Sequence, residues 1–135
     1  MSSDVDVLTS FFAAINRNDM HAVAGYFDPQ IVRVEFEGSP SAGTYHGAAA
    51  VHENVRAGRG TWAEGSCEPE RFLVAGERVV VYLHAWVRRH GATGWTGGRF
   101  ADGFVLRDGK ITEYRSFGER ADALRWAGLD GQELT

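Results

Sequence analysis

A single carboxylate set among apolar side chains, in the segment RFADGFVLRDGK, is the feature of the sequence that most directly suggests chemistry. If this segment is a strand, Phe100, Asp102, Phe104 and Leu106 project to one side, because side chains alternate along a strand. Apolar surroundings disfavour the charged form, so we expect a raised pKa for Asp102 and a role as acid or hydrogen-bond donor. The alternative is that Ala-Asp-Gly forms a turn. A turn here would leave only a short strand before the next turn, which favours the strand.

Two other side chains are candidate bases. His84 lies in the middle of VVVYLHAWV, where Val80, Tyr82, His84 and Trp86 share one face of a predicted strand. That face either lines a cavity, with His84 as base or hydrogen-bond donor, or forms the outer side of the sheet against a second subunit. Glu35 lies on the polar face of the strand QIVRVEFEG, and either reaches the cavity as a base or is solvated.

The remaining candidates would bind a ligand rather than react with it. Arg99 would anchor a carboxylate or enolate if it lay inside a cavity, and otherwise would form an ion pair. Aromatic side chains would form the walls, although each one alone is equally suited to the core. These candidate wall residues are Phe11, Tyr26, Phe36, Trp62, Trp86, Trp95, Phe100, Phe104 and Tyr114.

Charge and composition narrow the function classes. The net charge is −4 and no block of Lys or Arg occurs, so nucleic acid and anionic membranes are not expected as partners. Cys67 is the only cysteine, which excludes an internal disulfide and a structural Cys-based zinc site. No nucleotide-binding or GxSxG motif is present. We predict no metal and no cofactor, since the histidine spacings match no ligand pattern; these histidines are His21, His46, His52 and His90.

Helical patterns come first in the chain and strand patterns follow. A first helix is predicted from N-caps at positions 2–4 to the sequence NRND, and a second from Asp19 to the Asp28-Pro29 pair. QIVRVEFEG is a strand, with Val32, Val34 and Phe36 on its apolar face, and GSPSAGTYHG is a loop. A third helix is predicted at about 48–57. A run of strands follows from residue 61, and ERADALRWAGL forms a short helical tail.

This order predicts an α+β fold in which N-terminal helices pack over the concave face of a strongly curved antiparallel or mixed sheet. A bent sheet with helices across its mouth forms a cone, whose interior suits a small molecule. The length of 135 residues suits one domain spanning 1–135. The N-terminus is unlike a signal peptide and no run is long enough to span a membrane, so we expect a cytoplasmic protein.

Four segments carry a family resemblance: FFAAINRNDMHAVAGYF, FDPQIVRVEF, YHGAAAVHE and FADGFVLRDGKITEYRSFGE. Together they resemble the SnoaL-like and ketosteroid isomerase-like family of the nuclear transport factor 2-like superfamily, whose fold is also called cystatin-like. The resemblance implies a cone-shaped pocket, no obligatory cofactor and frequent homodimers through the sheet. Activities across the group include isomerisation next to a carbonyl, closure of polyketide rings and epoxide hydrolysis.

The resemblance also assigns expected roles. Ketosteroid isomerases use a base on the first strand, with a tyrosine and a protonated aspartic acid as the oxyanion hole. Asp102 falls at the position of the protonated acid, whereas Phe11 takes the place of the tyrosine and Val34, beside Glu35, that of the base. Steroid isomerisation is therefore not predicted. The acid/base of SnoaL-type cyclases has its nearest match at Glu119.

Two functional hypotheses follow. In the first, the chain binds a small hydrophobic or aromatic molecule and catalyses cofactor-free proton transfer, as an isomerase, cyclase or dehydratase would. Asp102 would then be the acid, and His84 or Glu35 the base. In the second, the chain is a ligand carrier, or an accessory module whose sheet binds a partner.

Overall fold

Four helices are present in the structure, a computed structural model that describes residues 3–130. Helix α1 spans Asp4–Asn16 and begins with a capping box, in which the Ser3 hydroxyl accepts from the Asp6 amide. Helix α2 spans Met20–Ala24, and its N-cap is Asp19, as predicted. Helix α3 spans Ala48–Arg59 and α4 spans Arg120–Ala127. The predicted cap at position 2 lies outside the described residues.

Within residues 3–130, six strands form one open sheet. They are β1 (Phe27–Glu35), β2 (Gly43–His46), β3 (Trp62–Ala75), β4 (Arg78–Arg89), β5 (Thr96–Arg107) and β6 (Lys110–Phe117). Their order across the sheet is β2-β1-β6-β5-β4-β3. All neighbours are antiparallel except β1 and β6, which pair in parallel. The predicted α+β class and the mixed sheet are therefore confirmed.

Two predicted boundaries were wrong. The second helix does not continue to the Asp28-Pro29 pair, because β1 already begins at Phe27, which is in register with Ile111 of β6. The segment GSPSAGTYHG is not wholly a loop either, since β2 pairs with β1 along its whole length. Asp102, by contrast, lies within β5 and not in a turn, as predicted.

The main core lies between the helices and the concave face of the sheet. Phe11 and Phe12 of α1 are buried there, and each contacts Phe104 of β5 edge-on. A smaller cluster lies on the opposite face, where α4 covers Val80 and Tyr82. The two faces of β4 therefore differ in what they contact. No helix of the described residues has the length and apolar character that crossing a membrane requires.

Two glycines, one in β3 and one in β5, lie where a side chain would collide with the backbone of β4. Gly65 has a φ of 116° and Gly97 has a φ of 151°, both in the region that favours glycine. A Cβ at Gly97 would lie 2.0 Å from the Ala85 carbonyl oxygen, and one at Gly65 would lie 2.2 Å from that of Trp86. The two positions flank the same segment of β4, and each of them requires glycine.

We expect Gly97→Ala to lower the free energy of unfolding by more than about 2 kcal/mol, because a side chain there meets a backbone oxygen and a strained φ. The matched control is Gly98→Ala, since a Cβ at Gly98 meets nothing within 4 Å. That control should change the stability by less than about 0.5 kcal/mol. Urea unfolding of both variants measures the difference. If Gly97→Ala and Gly98→Ala lower the free energy of unfolding equally, the requirement for glycine at position 97 is contradicted.

Candidate active site

A cavity of about 990 Å³ lies on the concave side of the sheet. Its wall includes residues of α1 and α3, the 36–41 segment after β1, and the facing sides of β1, β3, β4, β5 and β6. A volume near the upper end of the range for small-molecule sites accommodates a drug-sized ligand. The wall is mostly apolar, with a group of polar side chains contributed by β1, β5, β6 and α3.

Asp102 is the most buried acid in the wall, with 2% of its surface exposed. Its Oδ1 atom is buried and has no hydrogen-bond partner within residues 3–130. Burial raises the pKa of Asp102 to about 6, while the Arg33 guanidinium and the Ser116 hydroxyl oppose that rise and Glu35 adds to it. Both the upward direction of this pKa shift and its main cause, burial, agree with the prediction from the sequence. Such a carboxyl exchanges a proton readily near neutral pH.

Arg33 supplies a buried positive charge close to this carboxyl. Its Nε donates to Asn54 Oδ1 at 3.2 Å and its Nη1 donates to Ser116 Oγ at 3.0 Å. The guanidinium also lies 3.7 Å from the ring centroid of Tyr114, within cation–π range. Ser116 is the register partner of Asp102 on the neighbouring strand. Its hydroxyl therefore contacts both the Arg33 guanidinium and the Asp102 carboxyl.

Glu35 neutralises part of that charge and is itself fully engaged. Glu35 Oε1 lies 3.4 Å from Arg33 Nη2, and its Oε2 accepts from Asn54 Nδ2 at 2.8 Å and from Ser41 Oγ at 2.6 Å. Arg33, Glu35 and Asn54 therefore form a closed triangle of contacts. Removing one member of a buried pair leaves an uncompensated charge, so this triangle resists rearrangement.

Seven of the residues proposed from the sequence contribute to the cavity wall. Arg99 is one, but its side chain lies on the outer face with its register partner His84, and its guanidinium binds Glu70 there, with Nε 3.0 Å from Oε1. The 36–41 segment starts with Phe36, which packs against Gly118. The full set is Glu35, Phe36, Trp62, Arg99, Phe100, Asp102 and Tyr114.

His84 and Trp86 lie on the other side of β4. Ala85 and Val87 line the cavity, and alternation places His84 and Trp86 on the outer face, where Trp86 is 49% exposed. The outer position was one of the two alternatives open for this face. His84 therefore does not line the cavity.

The other candidates lie in the core or at the surface. Phe11 and Phe104 are completely buried, and Tyr26 packs edge-on against Phe11. Trp95 is 43% exposed in the connection before β5. Glu119 is the exposed N-cap of α4. None of these five forms part of the cavity wall.

Sequence reasoning missed Arg33, Asn54 and Ser116 as site residues. The apolar pattern puts Val32 and Val34 together on one face of β1, yet both are only partly buried, whereas Ile31 and Arg33 on the other face are buried. Ile31 was the available signal, because it shares a face with Arg33. No comparable signal marks Asn54 or Ser116. Within residues 3–130, no three His, Cys, Asp or Glu side chains cluster closely enough to hold a metal ion.

The chain belongs to the SnoaL-like domain family, whose model matches residues 8–114. No curated protein matches the chain at a significant level. Similar solved structures include an NTF2-like protein from Burkholderia pseudomallei K96243, with 23% identity, 93% of this chain and 97% of that chain covered, and a TM-score of 0.76. An NTF2-like protein from Burkholderia xenovorans LB400 has 26% identity, with 90% and 93% covered and a TM-score of 0.70.

A further similar structure was determined with a small molecule bound. It is TerC, co-crystallised with polyporic acid, with 21% identity, 94% of this chain and 99% of that chain covered, and a TM-score of 0.75. At this identity the likeness establishes the fold alone. The fold of the chain is therefore that of the NTF2-like proteins, and the residues of the cavity decide its chemistry.

We expect the wild-type protein to lose stability relative to Asp102→Asn as the pH rises from about 4 to about 7. The folded state binds the Asp102 proton more tightly than the unfolded chain, so this stabilisation is complete below the ordinary value of 3.8 and is lost through the folded pKa of about 6. The change corresponds to about 3 kcal/mol. Urea unfolding at a series of pH values measures it.

The control is Asp108→Asn in the turn between β5 and β6, where φ is 51°, a conformation that asparagine tolerates. Its stability relative to wild type should be nearly constant over the same pH range. If the stability difference between Asp102→Asn and wild type is also independent of pH, Asp102 does not have the raised pKa that its burial predicts.

Proposed function

We propose that the cavity binds a small hydrophobic or aromatic molecule carrying a carbonyl group, and that Asp102 transfers a proton to or from it without a cofactor. The unpartnered Oδ1 of Asp102 in the cavity wall is the observation that carries this proposal. A buried polar atom without a partner is costly, and a ligand atom that hydrogen-bonds to it recovers that cost. The reaction class is that of an isomerase, cyclase or dehydratase.

The protonation behaviour of Asp102 suits this chemistry. With a pKa of about 6, both forms of Asp102 are populated near neutral pH. The ionised form takes a proton from a carbon next to the carbonyl, breaking a C–H bond and forming an O–H bond. Returning that proton to another carbon completes an isomerisation. As the proton leaves the substrate, negative charge develops on the carbonyl oxygen. The Arg33 guanidinium, which lies close to Asp102, stabilises that charge.

Glu35 fits a positioning role better than that of the base. Its carboxylate already contacts Arg33, Asn54 and Ser41. We therefore assign Glu35 to holding the Arg33 guanidinium in place. Arg33 in turn faces Ser116 and the ring of Tyr114, which fixes the polar side of the cavity.

A ligand carrier of the same fold is the second candidate. The observation in its favour is that Glu35, the other carboxylate deep in the wall, is fully engaged and leaves Asp102 without a second free base in the described cavity. TerC, co-crystallised with polyporic acid, supports small-molecule binding as a proposal for either candidate. The homodimer and the cytoplasmic location stay predictions; the exposed Trp86 on the outer face is the side chain that a sheet-to-sheet contact would cover.

The test starts with a thermal-shift screen of polyketide-like, steroid-like and aromatic carbonyl compounds, followed by incubation of each bound compound in D₂O. We expect deuterium to enter next to the carbonyl, and Asp102→Asn to slow its entry by roughly 10²- to 10⁴-fold. The affinity should change far less than the exchange rate, and mass spectrometry follows the label.

Asp108→Asn is again the control and should exchange at the wild-type rate. Binding without exchange in the wild type would support the carrier and remove Asp102 from any reaction. A protein that binds none of the three compound classes would contradict both candidates.

A further inference from the structure

One end of the cavity carries two arginines around a tryptophan. Trp62 of β3 and Arg89 of β4 are register partners, so their side chains project from the same face of the sheet. The Arg59 guanidinium, at the end of α3, lies 4.6 Å from the Trp62 ring centroid. Arg59, Trp62 and Arg89 all line the cavity, and we call these three residues the arginine end.

The two arginines at this end contact only neutral groups. Arg59 Nε donates to the Ile15 carbonyl at 2.7 Å and its Nη2 donates to the Asn16 carbonyl at 3.0 Å. Arg89 Nη1 donates to Thr61 Oγ1 at 2.8 Å. Neither guanidinium has a carboxylate within 4 Å in the part of the chain that the structure describes. Each therefore keeps N–H donors and a full positive charge for another group.

The other arginines that line the cavity are already paired with carboxylates. Arg33 pairs with Glu35, and Arg99 pairs with Glu70. The carboxylate of Glu53, on the same helix as Arg59, is held by Arg56. The uncompensated positive charge is thus concentrated beside Trp62, although the chain as a whole carries −4.

We infer that the arginine end binds the anionic group of an amphiphilic ligand, such as a carboxylate, sulfonate or phosphate attached to an apolar body. The guanidinium forks suit oxyanions, and Trp62 and the apolar wall suit the adjoining rings or chain. This inference rests on the proposed function, because it specifies the ligand class of the same cavity.

The two ends of the cavity are well separated. Arg89 lies eight residues along β4 from Val81, the register partner of Asp102. Eight residues of a strand span about 26 Å. A substrate that reaches both ends is therefore elongated, with its anionic group remote from the carbonyl at Asp102. This separation keeps the anion away from the carboxyls of Asp102 and Glu35.

The test compares two fluorescent probes that differ chiefly in charge. 8-Anilinonaphthalene-1-sulfonate is anionic, and N-phenyl-1-naphthylamine has the same aromatic body without the sulfonate. We expect the wild-type protein to bind the sulfonate at least about fivefold more tightly, as one charge-assisted contact at a partly exposed site provides. Raising the salt concentration should weaken the sulfonate and leave the neutral probe unchanged.

Arg59→Met and Arg89→Met should each remove most of this preference by weakening the sulfonate alone. Arg89→Met is the safer variant, because Arg59 also contacts the backbone at the end of α1. Arg107→Met is the matched control, since Arg107 is exposed at the far end of β5 and makes only a 3.9 Å ion pair with Glu77. The control loses the same charge and should keep the preference.

The outcomes separate this inference from the proposed function. Equal affinity for both probes, or a preference that Arg89→Met leaves intact, would overturn the anionic class while hydrophobic binding stands. If Arg107→Met loses the preference for the sulfonate probe to the same extent, that preference comes from the overall charge of the protein. This result would also overturn the inference. A failure to bind either probe would count against the proposed function, and the inference with it.

Discussion

The burial of the Asp102 carboxyl beside a paired arginine is the constraint on which the rest of the site depends. A carboxylate removed from water needs either a partner or a proton, and the available cation, Arg33, is already engaged by Glu35, Asn54 and Ser116. Asp102 therefore keeps an oxygen without a partner and a raised pKa. Burying this carboxylate lowers the stability of the folded protein, and only a proton or a ligand atom bound to the free oxygen restores it.

The architecture makes this arrangement possible by holding three strands in register. Asp102 on β5 faces Ser116 on β6, and β6 runs parallel to β1, which carries Arg33 and Glu35. Asn54 closes the network from α3. Gly65 and Gly97 supply the backbone conformations at which β3 and β5 flank β4. Hydrophobic packing of α1 against Phe104 holds the helices over the sheet.

Much of this fold follows from local patterns in the sequence. The caps at Ser3 and Asp19, the long β-branched strand β4 and the placement of Asp102 within a strand were predictable, because each depends on neighbouring residues. Strand β2 was not, since its four residues are stabilised by pairing with β1 rather than by their own propensity. The same holds for the start of β1 at Phe27.

The site was predictable only in part, because periodicity shows that a strand has two faces but not which face points inward. Val32 and Val34 suggested the wrong face of β1, and the polar residues Arg33 and Glu35 point into the cavity instead. For β4 the sequence did not show which face lines the cavity. In the structure α4 covers Val80 and Tyr82, so their face is the outer one. Contacts between distant segments, such as Arg33 with Asn54 and Ser116, leave no local trace in the sequence.

The most direct test of the central claim is a titration of the Asp102 carboxyl carbon by NMR, assigned by comparison with Asp102→Asn. A buried carboxyl with an unpartnered oxygen predicts a midpoint near pH 6, well above the ordinary value of 3.8. A midpoint at or below that ordinary value would show a solvated or fully paired carboxylate. Asp102 would then have no reason to act on a ligand in the cavity.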